Sequence, residues 1–315
     1  MDAFRNLIPT LKNYDNVDLT GWGEPLLHKG LFEMIDISHD QGCTAGFISN
    51  GTLLDDRRGR KLLEHKVNWM FVSIDGADPG TFSGIRVGGD LGKVVKNCKH
   101  FVELRDEYRT AEYNGPFLST TFTMNRANMP EVPDFVELAS DIGFDQIHIK
   151  NQDVVSKTND VQQILFPFSD DQPEIPYDEM KSKFAQARLI AEERGTRLLL
   201  PTFEYGFTKT CNPMQQGGVY IAATGEVSPC VNLGHPTPRM MPDGSYLANT
   251  GLIFGNVHDE GFDAVWNSAK WTKFRSDFES EIVPEACEGC QLLRKSEFHI
   301  TSSGPKTAEL RKVAV

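Results

Sequence analysis

The chain has 315 residues, 39% of them apolar and 24% charged, and a formal net charge of −12. That length predicts a large α/β unit with an appendage, and the acidic balance argues against a nucleic-acid surface, which normally carries a basic stripe. No apolar run approaches the roughly 20 residues that span a bilayer, and MDAFRNLIPTL lacks the basic start and cleavage site of a signal peptide, so a cytoplasmic protein is expected.

Phe4, Leu7, Ile8 and Leu11 recur at helical spacing, so the chain is expected to open on an amphipathic helix. The strand VDLT then runs into Gly21, Trp22, Gly23, Glu24 and Pro25, and residues 29–41 again carry a helical pattern. TAGFIS reads as a strand closed by Asn50-Gly51, a turn signal. The cycle repeats with helical residues 57–66, strand WMFVSI, helical 91–106, strand FLSTTFTM, helical 131–143 and strand QIHIK. Such alternation predicts βα units around a parallel sheet, open or barrel-shaped, with ligands at the carboxyl ends of the strands. GWGEP, Ser49-Asn50 and the run Ser73 to Gly76 with Asp75 all fall on that rim. Their hydroxyl, amide and carboxylate groups suit a ribose or an amino acid, and Glu24 suits an ammonium group, although each loop alone is ordinary turn chemistry. Residues 152–176 read as a polar connector or lid, and a helix at 177–194 and the strand TRLLLP follow.

Beyond about residue 205 helical periodicity is lost and cysteines gather, which divides the chain into residues 1–205, 206–295 and a tail, 296–315. Eighteen residues lie between Cys211 and Cys230, and 56 more precede the pair Cys287 and Cys290. A C-x2-C pair aims two thiolates at one centre, and a hairpin in GVYIAATGEVSPC brings a third and fourth. Four thiolates suit either Zn²⁺ or an iron–sulfur cluster, and spacing does not choose between them. Cys43 and Cys98 read as small buried hydrophobes. Arg239, Met240 and Met241 fall in a stretch read as a surface loop.

GWGEP, ISNGTLL, WMFVSIDGADPGTFSGIR and TTFTMNRANMPEV together resemble the radical S-adenosylmethionine (radical SAM) superfamily. The segment from CNPMQQGGVY through FGNVHDEGFDAVWNSAKWTKFRSDF to CEGC is similar to its SPASM or twitch auxiliary-cluster extension. The resemblance implies a partial (β/α)6 TIM-like barrel missing its first strand, plus a small cysteine-rich C-terminal domain. It implies that Gly21 to Pro25 bind the amino group of S-adenosyl-L-methionine, that Ser73 and Arg86 contact its ribose and carboxylate, and that Ser49 and Asn50 stand on the same rim. It also implies that Cys211, Cys230, Cys287 and Cys290 hold one auxiliary [4Fe–4S] cluster. Position 296, where fuller SPASM domains place another cysteine, is serine.

The superfamily's C-x3-C-x2-C loop, which holds the catalytic [4Fe–4S] cluster, does not occur in this sequence, and no cysteine precedes Cys43. Two readings follow. Met1 is an internal methionine and the chain a fragment of an oxidoreductase or maturase, or the chain is a non-catalytic relative that binds a ligand or partner. Retention of GWGEP, SIDG and Arg86 favours the first. On that reading a reductant such as flavodoxin or ferredoxin supplies the electron, and the substrate is a peptide or small molecule.

Overall fold

The computed structural model describes residues 1–152, 175–201, 209–215, 217–235, 239–240, 246–247, 251–288, 290, 293 and 299–300. Six parallel strands form the main sheet in sequential order: β1 (Asn16–Asp18), β2 (Thr44–Ser49), β3 (Trp69–Ser73), β4 (Phe117–Met124), β5 (Gln146–Asn151) and β6 (Arg197–Leu200). Consecutive strands pair edge to edge and in parallel, each with its neighbour in sequence. These are the βα units that the alternation predicts, in the α/β partial barrel that the resemblance implies. The connector at 153–174 and the boundary at 202–208 lie outside the described residues, as does the tail apart from His299–Ile300, which pairs antiparallel with β6.

The helices cover one face of the sheet. Phe47, Val72, Ile74, Phe122, Ile147, Ile149 and Leu198 from the strands pack in one core with Leu31, Ile35, Leu62, Phe101, Phe135 and Phe184 from the helices. Local chemistry sets the helix ends: Asp55, Asp78 and Asp90 each accept from backbone N–H groups of the first turn that follows. The helix Pro79–Ile85 is a departure from the sequence reading, in which its two glycines hid an Asp cap followed by proline at the first helical position. The opening helix is instead two short ones, Asp2–Asn6 and Ile8–Leu11, because Pro9 has no N–H with which to continue the first.

The C-terminal part is built on three short antiparallel strands, β7 (Tyr220–Ile221), β8 (Glu226–Ser228) and Gly255–Asn256, with β8 central. Gly225 turns the hairpin at φ +86°, where a Cβ would lie 2.5 Å from Asn256 Oδ1, so this glycine is a steric requirement. Asn256 Nδ2 in turn donates to the Thr224 carbonyl at 3.0 Å. Arg275 lies 4.2 Å over the Trp266 ring and donates to the Trp266 carbonyl, which ties the two helices Phe262–Trp266 and Ala269–Glu279 together. Arg239–Met240 pairs with Tyr246–Leu247, so the stretch expected to be loop contains a small antiparallel ladder; Met241 lies outside the described residues. A second core joins the chain's two ends, with Ala3, Leu7, Leu11 and Cys43 packed against Val227, Val257, Phe262, Val265 and Trp271.

Candidate functional site

Cys211, Cys287 and Cys290 are buried in one apolar cluster with Leu233, Phe274 and Phe278, and Cys230 packs against it. Two of the thiols stand at helix starts. Cys211 precedes Asn212–Gln215 and accepts from the Met214 N–H, and Cys230 precedes Val231–Gly234 and accepts from the Leu233 and Asn232 N–H groups. Burial pushes the Cys230 thiol up to about 11 against the pull of those N–H groups, and neighbouring Cys290 and Cys211 push the same way as burial. Burial likewise raises Cys211. Thiols buried together resist ionisation until a positive centre arrives, and N–H···S hydrogen bonds are among the levers that tune an iron–sulfur cluster. Among the described residues no three His, Cys, Asp or Glu side chains converge closely enough to hold a single metal ion. A zinc ion would draw its thiolates to about 2.3 Å of a common point. A cluster binds each thiolate through a different iron, and four cysteines suit either group.

At the rim, Glu24 is half-buried rather than free at the tip of its loop. Its Oε1 accepts from Ser49 Oγ at 2.8 Å and Leu26 N–H at 3.1 Å, and its Oε2 accepts from Asn50 N–H at 2.8 Å. A carboxylate accepts about four hydrogen bonds, so one position remains for a ligand donor. Asn50 closes a local turn by accepting from the Thr52 N–H and hydroxyl. Ser49 and Asn50 therefore serve chiefly to lock the Gly21–Pro25 loop onto the end of β2. We predict that Glu24→Ala costs about 2–4 kcal/mol, from charge-assisted hydrogen bonds worth about 1.5–3 kcal/mol each. Glu24→Gln should recover part of it, as measured by urea unfolding.

The next two strand ends are braced together as well. Asp75, 4% exposed, accepts from the Thr123 N–H at 2.7 Å through Oδ1 and from Arg86 Nε at 2.8 Å through Oδ2. Asn128, not singled out in the sequence, donates to the carbonyls of both Asp75 and Thr123 at 3.0 Å. Glu131 accepts from the Ala77 and Asp78 N–H groups. Asp75 thus acts as the brace of Arg86, whose guanidinium remains partly exposed on the rim. Trp22 is 55% exposed, and its ring lies 5.0 Å from that of His235, just beyond the helix that Cys230 begins. The loop at Gly21–Pro25 and the cysteine-bearing part therefore meet.

The face of the sheet opposite the helices is polar toward the carboxyl ends. Alternate residues of a strand point to opposite faces, so Ser73, Thr121, Thr123, His148 and Lys150 point away from the helix-packed Val72, Phe122, Ile147 and Ile149. Lower on this face Trp69, Phe71 and Phe117 form an aromatic floor. Burial, with Lys150 adding, pulls the His148 imidazole down to about 4, so it is neutral near pH 7. Because the folded value lies below the ordinary 6.5, the unfolded chain binds the extra proton first as the pH falls. Stability is accordingly expected to fall between about pH 6.5 and 4, and His148→Gln should flatten that slope in unfolding curves taken across the window.

Residues 211–291 match the SPASM family, an iron-sulfur cluster-binding domain. A tungsten-containing aldehyde ferredoxin oxidoreductase cofactor-modifying protein of Pyrococcus furiosus is 25% identical over 94% of this chain and 80% of its own length. An AdoMet-dependent heme synthase of Methanosarcina barkeri is 27% identical over 85% and 72%, and a PqqA peptide cyclase of Gluconobacter oxydans is 22% identical over 85% and 67%. Streptococcus suis SuiB bound to S-adenosylmethionine superposes with a TM-score of 0.59 at 12% identity, over 93% of this chain and 63% of SuiB, a likeness of fold. The SPASM match implies an iron–sulfur cluster in a chain whose fold is an α/β partial barrel. The SPASM match and these relatives, similar over most of the chain, support a radical SAM protein with a C-terminal SPASM domain.

Proposed function

We propose that these residues form the scaffold, the S-adenosylmethionine loop and the auxiliary-cluster domain of a radical SAM oxidoreductase or maturase that acts on a peptide or small molecule. The observation that carries the reading is the meeting of the Gly21–Pro25 loop with the four-cysteine region through Trp22 and His235. S-adenosylmethionine supplies hydrogen-atom abstraction when it is bound beside a reduced iron–sulfur cluster. In this chain Glu24 offers its remaining acceptor position to the ligand's ammonium group, and Arg86, held by Asp75, offers a guanidinium to its carboxylate. Ser73 stands on the inner face as a hydroxyl for the ribose. Cys211, Cys230, Cys287 and Cys290 are the proposed ligands of one auxiliary [4Fe–4S] cluster, which takes up an electron or positions substrate. The SPASM match and relatives named for cofactor modification, heme synthesis and peptide cyclisation support this class of reaction. SuiB has also been seen with its precursor peptide SuiA.

One observation favours a second reading, a non-catalytic scaffold: the sequence contains no C-x3-C-x2-C triplet. The test is anaerobic reconstitution of the chain with iron and sulfide, followed by calorimetry with S-adenosylmethionine. About four irons and four sulfides per chain, with S-adenosylmethionine binding that is lost in Arg86→Ala, is the expected result. Cluster without binding would leave the scaffold reading, and a colourless zinc protein would overturn both.

A further inference from the structure

The inner face of the sheet carries a cation that the reading above does not use. Lys150 stands near the carboxyl end of β5, half-buried, with Thr123 beside it on β4 and His148 two residues below on its own strand. It makes no ion pair or hydrogen bond to any described residue. Two other cations of the sheet region are matched with acids: Arg105 meets Asp145 at 2.8 Å and Arg86 meets Asp75 at 2.6 Å. In a chain of net charge −12, an inward ammonium with no carboxylate partner among the described residues is a cost that a bound anion would offset.

A second observation points to the same spot. Thr121 is 5% exposed, and its Oγ1 has no hydrogen-bond partner. By register it lies beside both Ser73 and His148 on the same inner face. A buried hydroxyl without a partner forfeits about 1–3 kcal/mol unless something meets it there. Lys150 is also close enough for its charge to act on the His148 ring, so ammonium, imidazole and hydroxyl share one small region. Its floor is apolar, formed by Trp69, Phe71 and Phe117, which keeps water from screening a charge above it.

We propose that Lys150, with Thr123 beside it and Thr121 and His148 below, forms a subsite for an oxyanion of the substrate, a carboxylate or a phosphate. The subsite rests on the proposed function, in which Ser73 on this same face meets the ribose of S-adenosylmethionine and substrate lies beside it. Ammonium is a compact point charge and accepts either anion, so recognition here is by charge, with the hydroxyls completing the anion's hydrogen bonds.

Calorimetry on the reconstituted chain at low ionic strength tests this, with glutarate and inorganic phosphate as separate probes and S-adenosylmethionine titrated independently. At least one probe should bind and should shift the His148 ring resonances. Lys150→Met should weaken it by about fivefold or more, equivalent to about 1 kcal/mol. Lys150→Arg should restore binding, and Thr121→Val should weaken it without loss of fold by circular dichroism. Binding of glutarate alone identifies a carboxylate-bearing substrate, and binding of phosphate alone a phosphorylated one. No binding of either probe, or equal binding by Lys150→Met, overturns the subsite. A parallel loss of S-adenosylmethionine affinity in Lys150→Met would move these residues to the cofactor and overturn the substrate assignment. If the wild-type chain binds a probe but not S-adenosylmethionine, the subsite stands and the radical SAM reading of the rim fails.

Discussion

Cys287→Ala is expected to strip the iron from the C-terminal domain and to unfold much of that domain. The thiol sits in an apolar cluster with Cys211, Cys290, Phe274 and Phe278, so its loss removes a ligand from the middle of the domain's own core. Metal binding and folding are coupled where the site does not exist in the unfolded chain. The four cysteines also come from three separate stretches of sequence, which a shared cluster would hold together. Iron and sulfide assays after anaerobic reconstitution, with near-ultraviolet circular dichroism for the packing of Trp266 and Trp271, measure both effects. Iron content equal to wild type would remove Cys287 from the ligand set. Cys98→Ala serves as the comparison: that thiol is buried in the helix-side core with its pKa pushed up to about 12, and its loss should leave iron untouched.

The second large effect is expected at Asp75. Its carboxylate is almost wholly buried and satisfies the Thr123 N–H and the Arg86 guanidinium together. Asp75→Ala leaves a backbone donor and a partly buried cation unmatched, and such breaks of buried pairs cost about 3–5 kcal/mol. Arg86 is 30% exposed, so solvent relieves part of this and about 3 kcal/mol is expected. Asp75→Asn should be milder, because an amide oxygen still accepts from Thr123. Urea denaturation gives the energies, and S-adenosylmethionine calorimetry on both variants shows whether a misplaced Arg86 also weakens the rim. A change below about 1 kcal/mol in Asp75→Ala would mean that the pair contributes no more than a surface bridge.

The sheet was readable because each strand and helix announces its period locally, and the rim because polar turns follow apolar strands. TAGFIS, WMFVS and QIHIK all became strands at their expected places. The interlocking of the rim was not readable. Glu24 and Ser49 are 25 residues apart, and Asp75 and Thr123 48 apart, so only the assembled sheet brings them into contact. Isolated loops suggested ligand donors, whereas in the fold Ser49 and Asn50 are mostly spent on holding neighbours. The inner row did leave a mark. QIHIK alternates Ile147 and Ile149 with His148 and Lys150, a period of two that separates a buried face from a polar one. FLSTTFTM hid the same alternation, because Thr120 faces the helices and satisfies its hydroxyl on the Val72 carbonyl. The helix at Pro79–Ile85 was masked by glycines, and the ladder at Arg239–Met240 is too short to show a period.

The packing of Leu7 and Leu11 against Val257, Phe262 and Trp271 makes the chain's first dozen residues part of the wall of its last domain. Cut near residue 205, neither half would keep its own interior covered: the barrel half would show Leu7 and Leu11 to water, and the cysteine half would show Trp271. Expression of the SPASM segment by itself should therefore yield a sticky, poorly soluble product, and residues 1–12 supplied alongside it should restore solubility. Damage to the opening helices would be felt first at Val257, Phe262 and Trp271, far along the sequence but adjacent in space.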